Sequence, residues 1–444
     1  MAKIKYVIKR NGATVPFVQE RIINAIFRAA VSVGGRDRET AEKLSDQVVE
    51  ILEKSYPPSR YPTVEEIQDM VEKVLIENGH AKVAKAYILY REERNRRRRQ
   101  EKAATEQRSE FIPWAKMWSV LDWAVDHEVN TVRKLNTRLE NHEALEVVKE
   151  SEAAYGQEVQ AVIERIWERK NEAKLVIVAG PSSSGKTTTT HKIAHTLTNR
   201  GVSFVELNLD HYYFDLELHP KDEFGDYDFE TPQALDIDLI NQHLKELLAG
   251  KEVRIPFYDF KAGKRYLDRT PMRLEKDDII LIDSLYGLYP PMTEGIEESK
   301  IKIYTEPILQ LKNDQGEYVR WTDIRLMRRM LRDATQRAYD YGKTLTHWHY
   351  VRSGETRSII PYLDTADVII NSAMPYELSI YQPKLINHFS EWVSRYKDDP
   401  LHEDAYTRAS RIHALLSSLT PLPDDSLVPQ KSVLREFIGG LVLD

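Results

Sequence analysis

One stretch near the middle of the chain constrains its fold more than any other. Residues 175–190 read LVIVAGPSSSGKTTTT, in which an apolar, β-branched run precedes a Gly/Ser loop and a helix-compatible run. The loop matches the phosphate-binding pattern G-x-x-x-x-G-K-[ST], with Gly180, Gly185, Lys186 and Thr187 in the fixed positions. In such a loop, backbone N–H groups and the N-terminus of the following helix face phosphate oxygens. The stretch therefore predicts a strand, a phosphate-binding loop (P-loop) and a helix.

The residues of this loop have predicted roles. Lys186 is expected to reach the β- and γ-phosphates of a nucleotide, and the Thr187 hydroxyl is expected to bind Mg²⁺. The residues predicted to line the nucleotide site are Gly180, Ser182, Ser183, Ser184, Gly185, Lys186, Thr187 and Thr188. The alternative is a Gly/Ser turn that binds nothing, but all four fixed positions match and the strand–loop–helix context is right.

The composition excludes several other classes of protein. The chain has 444 residues, so two or three domains are expected. It contains no cysteine, which removes disulfides, thiolate zinc sites and cysteine nucleophiles, and which fits a reducing cytoplasm. No apolar run reaches the roughly 18 residues of a membrane span, and the N-terminus lacks the apolar core of a signal peptide. A net charge of −7 argues against nucleic acid as a partner.

After Lys174, strands and helices alternate, which predicts a parallel sheet with helices on both faces. Ligands of such sheets lie at the carboxyl ends of the strands. Asp210 follows the predicted strand 202–209, where its carboxylate could accept a proton from an acceptor hydroxyl; the alternative is an Asp that only caps a turn. Asp283 ends the buried strand 278–283 in a Walker B pattern, which predicts a bond to Mg²⁺, direct or through water.

A row of arginines follows on a predicted helix. Arg325, Arg328, Arg329 and Arg332 are three and four residues apart, so they are expected to share one helix face. A cationic face beside a triphosphate would stabilise the transferring phosphoryl group. The alternative is a solvated basic helix without a ligand.

The part of the chain before the P-loop predicts a separate, mostly helical domain. Residues 3–17 predict a β-hairpin that turns at Asn11-Gly12, and helices follow, one of which opens with the capping box Thr63–Glu66. Residues 96–172 predict connecting helices. Their aromatic side chains recur at helical spacing, which is typical of packing.

The first domain resembles the ATP-cone, a regulatory nucleotide-binding module of many ribonucleotide reductases. The matching residues are Val7-Ile-Lys-Arg-Asn-Gly12, Pro16-Phe17, Arg21-Ile22, Ala25-Ile26, Glu65-Glu66-Ile67 and Val83-Ala-Lys-Ala-Tyr-Ile-Leu-Tyr-Arg91. The resemblance implies that ATP or dATP is held at a site that includes Val7, Lys9, Arg10, Asn11, Tyr87 and Arg91. It also implies a homo-oligomer, because ATP-cones usually act through oligomer interfaces. The alternative is a helical interaction domain with a merely solvated basic hairpin.

The chain from about residue 175 to 440 resembles the uridine kinase / phosphoribulokinase family of P-loop kinases. The matching motifs are the P-loop, Asp210-His-Tyr-Tyr213, Tyr227-Asp-Phe-Glu-Thr-Pro232, Pro256-x-Tyr258-Asp259-Phe260, the Asp283 strand, the Arg325–Asp333 helix and Ala366-Asp367-Val368. The resemblance implies ATP and Mg²⁺ as cofactors, Asp210 as general base, and a mobile lid. The lid residues that it implies are Arg328, Arg329 and Arg332. The residues that it implies for acceptor binding are Asp210, Tyr213, Glu230, Tyr258 and Arg265.

Two departures from the family pattern concern the acceptor. Uridine kinases usually carry a base-reading His shortly after the Tyr-Asp-Phe, where this chain has Lys261-Ala-Gly263; the Walker B strand ends in Asp283-Ser284 instead of Glu-Gly. The sequence therefore predicts a kinase of a nucleoside hydroxyl, with a sugar or another small hydroxyl compound as the alternative acceptor. A non-catalytic, nucleotide-sensing regulator is the third hypothesis. The predicted boundaries are 1–95 for the ATP-cone, 96–172 for the helical connector and 173–444 for the kinase domain.

Overall fold

The computed structural model divides into two compact units. One comprises Met1–Ser109 with Asp398–Glu403, and the other comprises Glu110–Lys397 with Asp404–Asp444. The residues that the structure describes are 4–8, 14–35, 37–57, 60–89, 91, 112–220, 230–260, 262–296, 299–337, 340–399 and 402–442. The three-part division at residues 95 and 172 stays a prediction.

The N-terminal unit is a short hairpin packed with helices. Its elements are β1 (Tyr6–Ile8), β2 (Thr14–Pro16), α1 (Glu20–Ser32), α2 (Arg38–Ser55), α3 (Val64–Glu77) and α4, which covers residues 81–89. β1 and β2 pair antiparallel. The predicted capping box opens α3: the Thr63 side chain accepts a hydrogen bond from the Glu66 amide, and the Glu66 carboxylate accepts one from the Thr63 amide. Ile26, Leu52 and Leu75 lie at the centre of the core.

The second unit begins with three helices: α5 (Trp114–Asp126), α6 (Val132–Glu140) and α7 (Ala144–Glu168). These helices share a core with the sheet that follows, because Leu135, Val162 and Val176 belong to one buried cluster. The aromatic spacing in α5 predicted packing. Trp123 packs against this core, whereas Trp114 and Trp118 are exposed. Among the described residues, no helix is both long and apolar enough to cross a lipid bilayer.

The rest of the unit alternates strands and helices. Its strands are β3 (Leu175–Ala179), β4 (Ser203–Glu206), β5 (Val253–Asp259), β6 (Lys264–Met272), β7 (Asp278–Ser284), β8 (Lys300–Glu306) and β9 (Val368–Asn371). Its helices are α8 (Lys186–Asn199), α9 (Ile237–Leu248), α10 (Trp321–Arg337), α11 (Tyr341–Ser358), α12 (Glu377–Tyr396), α13 (Glu403–Ser417) and α14 (Arg435–Ile438).

Five of these strands form one parallel sheet in the order β4-β7-β3-β8-β9. The central strand β3 is buried throughout, and its side chains alternate between two cores: Val176 and Val178 join one cluster, while Leu175 and Ile177 join the other. Helices therefore cover both faces of the sheet, which confirms the predicted α/β fold. β5 and β6 form a separate antiparallel hairpin. Because β3, β4 and β7 are parallel, the segments that follow them leave the sheet at the same edge.

Candidate active site

The P-loop joins the end of β3 to the start of α8. At Gly180, a Cβ atom would lie 2.5 Å from the carbonyl oxygen of Thr305 on β8, so no other side chain fits without displacing backbone. Gly185 has a φ of +85°, and its Cβ would lie 2.5 Å from a methyl group of Val433. Both fixed glycines are thus required by close packing, and Gly185 also by the left-handed backbone.

The polar groups of the loop are suited to bind an anion and, beside it, a metal cation. The side-chain oxygens of Ser183 and Ser184 are buried and have no hydrogen-bond partner among the described residues. The Lys186 ammonium pairs with the Asp283 carboxylate at the end of β7, and the Thr187 hydroxyl donates to the same carboxylate at 2.9 Å. A hydroxyl and a carboxylate oxygen side by side are ligands that Mg²⁺ accepts, so these residues fit the predicted metal.

The arginine helix differs from the prediction. Arg328 is fully buried rather than part of a lid, because its guanidinium donates two bonds to Glu377, at 2.7 and 3.0 Å, and one to the Ser372 carbonyl at 2.7 Å. The Ser372 hydroxyl in turn donates to the Ser184 carbonyl of the P-loop. Arg328 therefore acts on the loop from within the core, through Ser372.

Arg325 is buried in the same way. It pairs with Glu306 at 2.8 Å and with Glu355, and it donates to the P-loop carbonyl of Ser182 at 3.3 Å. Burial opposes its charge, but Glu306 and Glu355 outweigh that effect and raise the pKa of Arg325 above its ordinary value. The four arginines lie on one helix at the predicted spacing, but the expectation of an exposed cationic face is wrong for Arg325 and Arg328, since buried carboxylates hold both of them in the core.

The other two arginines of α10 are partly exposed. Arg329 pairs with Asp333 at 3.3 Å and lies 3.8 Å from the Glu230 carboxylate, so two predicted site residues meet here. Arg332 pairs with Asp333 at 3.0 Å. A phosphate-clamping role for these two residues stays a prediction.

Four of the predicted acceptor residues come together around Tyr213. Asp210 lies in the 3₁₀ turn Leu209–Tyr212 after β4, and its amide donates to Asn208 Oδ1 at 2.9 Å, so Asn208 caps this turn. The ring centroids of Tyr213 and Tyr258 are 5.6 Å apart. Burial raises the pKa of Tyr213, and the neighbouring charges of Asp210 and Glu230 raise it further.

Further aromatic side chains extend this cluster. His219 stacks on Tyr213 with a centroid distance of 5.6 Å, and Phe260 meets Tyr258 edge to face at 4.9 Å. Phe260 nevertheless keeps 65% of its surface exposed, so an apolar face remains open beside the two tyrosines. We name Asp210, Tyr213, Glu230, Tyr258 and Phe260 the acceptor cluster. Of the motif at residues 227–232, residues 227–229 lie outside the described residues, as does Lys261.

Arg265, the fifth predicted acceptor residue, is engaged elsewhere. Its guanidinium donates to Asp236 at 2.8 Å and lies 5.0 Å from the centre of the Phe214 ring. Asp236 also accepts from the Leu239 amide at the start of α9. The structure thus gives Arg265 a role in joining β6 to α9.

Sequence reasoning assigned no role to two residues that the structure places at the site. Gly354 on α11 packs on Glu230 so closely that a Cβ would lie 2.3 Å from the Glu230 carbonyl oxygen. Glu436 on α14 accepts hydrogen bonds from the amide and the hydroxyl of Thr188, at 3.3 and 2.6 Å. Spacing along the chain does not reveal what either residue touches.

A cavity of about 280 Å³ lies beside the P-loop at Pro181. Its polar lining includes Arg325, Arg352 and Glu355, and its apolar lining includes Pro113 and Met117 from the start of α5. The acceptor cluster does not contribute to this lining. The residues that line the cavity are therefore distinct from those of the acceptor cluster.

In the N-terminal unit, the structure describes three of the six predicted nucleotide residues. Val7 is buried in β1, and Tyr87 is buried on α4, where burial, followed by the charge of Glu72, raises its pKa. Arg91 pairs with Asp69 at 2.5 Å and Glu72 at 2.7 Å, both on α3. Lys9, Arg10 and Asn11 lie outside the described residues. Nucleotide binding by this set stays a prediction.

Comparison with known proteins agrees with both parts of this description. Residues 5–96 match the family model described as the ATP cone domain, and residues 175–378 match the model of the Phosphoribulokinase / Uridine kinase family. A uridine kinase from Halobacterium salinarum is 27% identical over 233 residues, which are 51% of this chain and 94% of that protein. A uridine kinase from Brevibacillus brevis is 29% identical over 197 residues, 44% of this chain and 83% of that protein.

Among solved structures, a possible uridine kinase from Bacillus stearothermophilus is 16% identical, with a TM-score of 0.32, and covers 48% of this chain and 98% of its own. A putative fructose transport system kinase from Silicibacter sp. TM1040 is 15% identical, with a TM-score of 0.33. The match covers 48% of this chain and 98% of that protein.

Fold, P-loop and family match together define a P-loop kinase. Residues 175–378 match the Phosphoribulokinase / Uridine kinase family and residues 5–96 match the ATP cone domain, as the motifs predicted. The match to this kinase family supports phosphoryl transfer to a hydroxyl group.

Proposed function

We propose that the chain transfers the γ-phosphoryl group of ATP to a hydroxyl of a nucleoside. One observation carries the proposal: the Tyr213 ring lies 5.6 Å from that of Tyr258, and, after burial, the charges of Asp210 and Glu230 both raise the pKa of Tyr213. Carboxylates accept hydrogen bonds from ribose hydroxyls, and aromatic faces stack on a flat base. A nucleoside presents both features, whereas a sugar phosphate or a hydroxy acid would bring a negative charge toward two carboxylates.

On the donor side, the P-loop holds the phosphates. Backbone N–H groups at the start of α8 and the Ser183 and Ser184 hydroxyls are available as donors, and Lys186 supplies the positive charge. Thr187 and Asp283 would hold Mg²⁺, which neutralises phosphate charge when it is bound. In this arrangement, Arg325 and Arg328 keep the loop in shape through Ser182, Ser184 and Ser372.

On the acceptor side, Asp210 is the general base. Its carboxylate takes the proton of the acceptor hydroxyl while that oxygen bonds to the γ-phosphorus, and the bond between this phosphorus and the β–γ bridging oxygen breaks. ADP and the phosphorylated acceptor result. Glu230 accepts hydrogen bonds from the sugar hydroxyls, and Arg329, 3.8 Å away, holds its carboxylate in place.

For the N-terminal unit, we propose that ATP or dATP binds as a second nucleotide and adjusts the rate of the kinase, through a homo-oligomer in the cytoplasm. The ATP cone match at residues 5–96 supports this part of the proposal. It depends on the predicted contacts of Lys9, Arg10 and Asn11.

An acceptor screen tests the proposed reaction. Nucleosides, pentoses and hydroxy acids are offered with ATP and Mg²⁺, and phosphorylated product is measured. We expect turnover on a nucleoside, and a loss of roughly 10²- to 10⁴-fold in kcat in the Asp210→Asn variant, because a positioned base contributes about that much. Asp126→Asn, an exposed carboxylate at the end of α5, is the matched control.

Two outcomes would contradict the proposal. Turnover on a pentose or a hydroxy acid, with none on any nucleoside, would assign the acceptor cluster to another substrate. Absence of turnover on every acceptor, with ATP binding intact, would favour a nucleotide-sensing regulator.

A further inference from the structure

The C-terminal segment 432–438 packs directly on the P-loop. Its apolar residues Val433, Leu434 and Phe437 are buried, and the Val433 methyl group lies where a side chain at Gly185 would project. Phe437 lies 5.0 Å below the guanidinium of Arg328, the arginine that supports the loop. The segment is therefore part of the wall of the phosphate site, although it follows β9 by about 60 residues.

Glu436 reaches from this segment to the start of α8. One carboxylate oxygen accepts from the Thr188 hydroxyl at 2.6 Å and from the Thr188 amide at 3.3 Å. Thr188 is the third residue of α8, so its amide is one of the first four N–H groups, which lack a partner within the helix. Thr188 is completely buried, and the carboxylate satisfies both of its donors.

These two donors are also the ones that a nucleotide needs. In a P-loop, the N–H groups at the start of the helix cradle the α- and β-phosphates, and Lys186 reaches further, to the β- and γ-phosphates. The Glu436 carboxylate carries the same sign of charge as a phosphate oxygen and makes the hydrogen bonds that such an oxygen would make. A carboxylate and a phosphate cannot both occupy this position.

We propose that Glu436 is a donor-site residue that occupies the phosphate donors of Thr188 and is displaced by the α-phosphate when the nucleotide binds. The inference rests on the nucleotide site of the proposed function and goes beyond it, because it assigns the C-terminal segment a role in setting ATP affinity. The helix N-terminus stabilises a negative charge, so removing the Glu436 carboxylate from it costs free energy. This cost lowers the affinity of the site for ATP.

The surroundings allow the side chain to move while its backbone stays in place. On one side, Arg435 donates to the carbonyls of Asp425 and Val428 at 2.6 and 2.8 Å. On the other side, Phe437 is fully buried. Glu436 itself is only half-buried. Release of Thr188 therefore requires only the Glu436 side chain to move, because Arg435 and Phe437 hold the backbone on either side.

The test compares ATP binding by the full chain and by its Glu436→Gln variant. The amide keeps the size of the side chain and one acceptor oxygen but removes the charge. We expect ATP to bind about three- to tenfold more tightly to the variant, as befits removal of a partly screened like charge. Glu168→Gln, an exposed change of equal charge at the end of α7, is expected to leave the affinity unchanged.

Thermal unfolding tests the same proposal through two quantities that are expected to change in opposite directions: the melting temperature without ATP and the rise in melting temperature that ATP causes. Without ATP, the variant is expected to melt at a lower temperature, because the helix N-terminus has lost its anion. The rise in melting temperature that ATP causes is expected to be larger than in the natural chain. A residue that merely braced α8 would lower both quantities, so this pattern separates the two roles.

The binding signal must be assigned to the P-loop, since the ATP cone is expected to bind ATP as well. The part of the signal that disappears in a Lys186→Ala variant belongs to the P-loop. If ATP binds to the P-loop of the Glu436→Gln variant with unchanged or lower affinity, the inference is wrong. If the natural chain shows no such part, the proposed function fails instead. Should Glu436→Gln not fold, Glu436→Asp, whose shorter side chain withdraws the charge from Thr188, is expected to give the same tightening.

Discussion

At the scale of single residues, the buried charges behind the P-loop are the most informative feature. Arg325 is 1% exposed and is neutralised by two carboxylates, of which Glu306 also accepts a bond from the Tyr304 hydroxyl at 2.6 Å. Burying such charges is costly unless they are fully paired, and apolar residues would often stabilise a core as well. The ion pairs fix the orientation of the Arg325 guanidinium. Because this group donates a hydrogen bond to the carbonyl of Ser182, it positions the P-loop.

The stability of this arrangement depends on pH. Burial raises the pKa of Glu355, but Arg325 and then Arg352 lower it more strongly, so that the folded-state pKa lies below the ordinary 4.5. A depressed pKa stabilises the fold above the unfolded-state value, and this contribution is lost as the pH falls through the folded-state pKa. We therefore expect the free energy of unfolding to fall as the pH is lowered below about 4.5.

The Glu355→Gln variant tests this prediction by denaturant unfolding at a series of pH values. It is expected to lose about 3 to 5 kcal/mol near neutral pH, because Arg325 stays buried with one partner fewer, and to show a shallower decline in acid. Glu391→Gln, an exposed change on α12, is the control. An equally steep acid decline in Glu355→Gln would show that other carboxylates carry the pH dependence.

At the scale of elements, the acceptor cluster is assembled from three separate parts of the chain. Asp210 and Tyr213 come from the turn after β4, Tyr258 comes from the β5–β6 hairpin, and Glu230 is held against α11. The contact with α11 is made by Gly354, whose missing side chain leaves room for the Glu230 backbone. The position of Glu230 therefore depends on a helix that supplies no side chain to the cluster at this point.

Gly354→Ala is expected to weaken acceptor binding. The added Cβ would lie 2.3 Å from the Glu230 carbonyl oxygen and 2.6 Å from its Cβ, so the Glu230 segment has to shift. We expect the KM for the acceptor to rise by roughly tenfold, as for the loss of one good hydrogen bond, while the KM for ATP stays the same. Steady-state kinetics with each substrate varied in turn measures the two values.

Gly156→Ala is the matched control for this prediction. Gly156 lies in the middle of α7, and a Cβ there meets nothing within 4 Å, so the change is expected to be neutral or slightly stabilising. An unchanged acceptor KM in Gly354→Ala would mean that Glu230 does not hold the acceptor. A rise in both KM values would indicate a general disturbance of the sheet edge.

The helices and strands were largely predictable from the sequence, whereas the burial of Arg325 and Arg328 was not. The P-loop, the strand ending in Asp283 and the capping box of α3 follow from local patterns of a few residues, which the structure confirms. The spacing of Arg325 and Arg328 shows only which residues share a turn of helix. Their carboxylate partners Glu306, Glu355 and Glu377 lie 19 to 49 residues away, so local sequence carries no sign that these cations are buried.

At the scale of the whole molecule, the chain joins two units with separate cores. The ATP cone was predictable as a hairpin with capped helices, and Tyr87 and Arg91 lie on or beside α4, where the pattern places them. Arg91, however, is already paired with Asp69 and Glu72. Its partners are two carboxylates of α3, and helical spacing within α4 could not reveal them. If Arg91 binds a nucleotide, it must do so while keeping or exchanging these ion pairs.

Nucleotide binding by the N-terminal unit is expected to control the kinase unit. With ATP and acceptor held constant, added dATP is expected to change the rate of turnover and the oligomeric state together, because ATP cones usually act through oligomer interfaces. Replacing Lys9 and Arg10 by Ala is expected to abolish both responses, since it removes the predicted phosphate contacts. Lys73→Ala, which removes an exposed cation from α3, is expected to preserve them.

Initial rates and light scattering, recorded over the same dATP titration, measure these two responses. A response of the rate that survives in the Lys9/Arg10 double variant would place the effect of dATP at the P-loop, where it would compete with ATP and be relieved by more ATP. No response of either quantity in the natural chain would make the ATP cone a structural module here. A response of the rate alone would retain the regulation but contradict the oligomer as its means, because the coupling would then lie within a single chain.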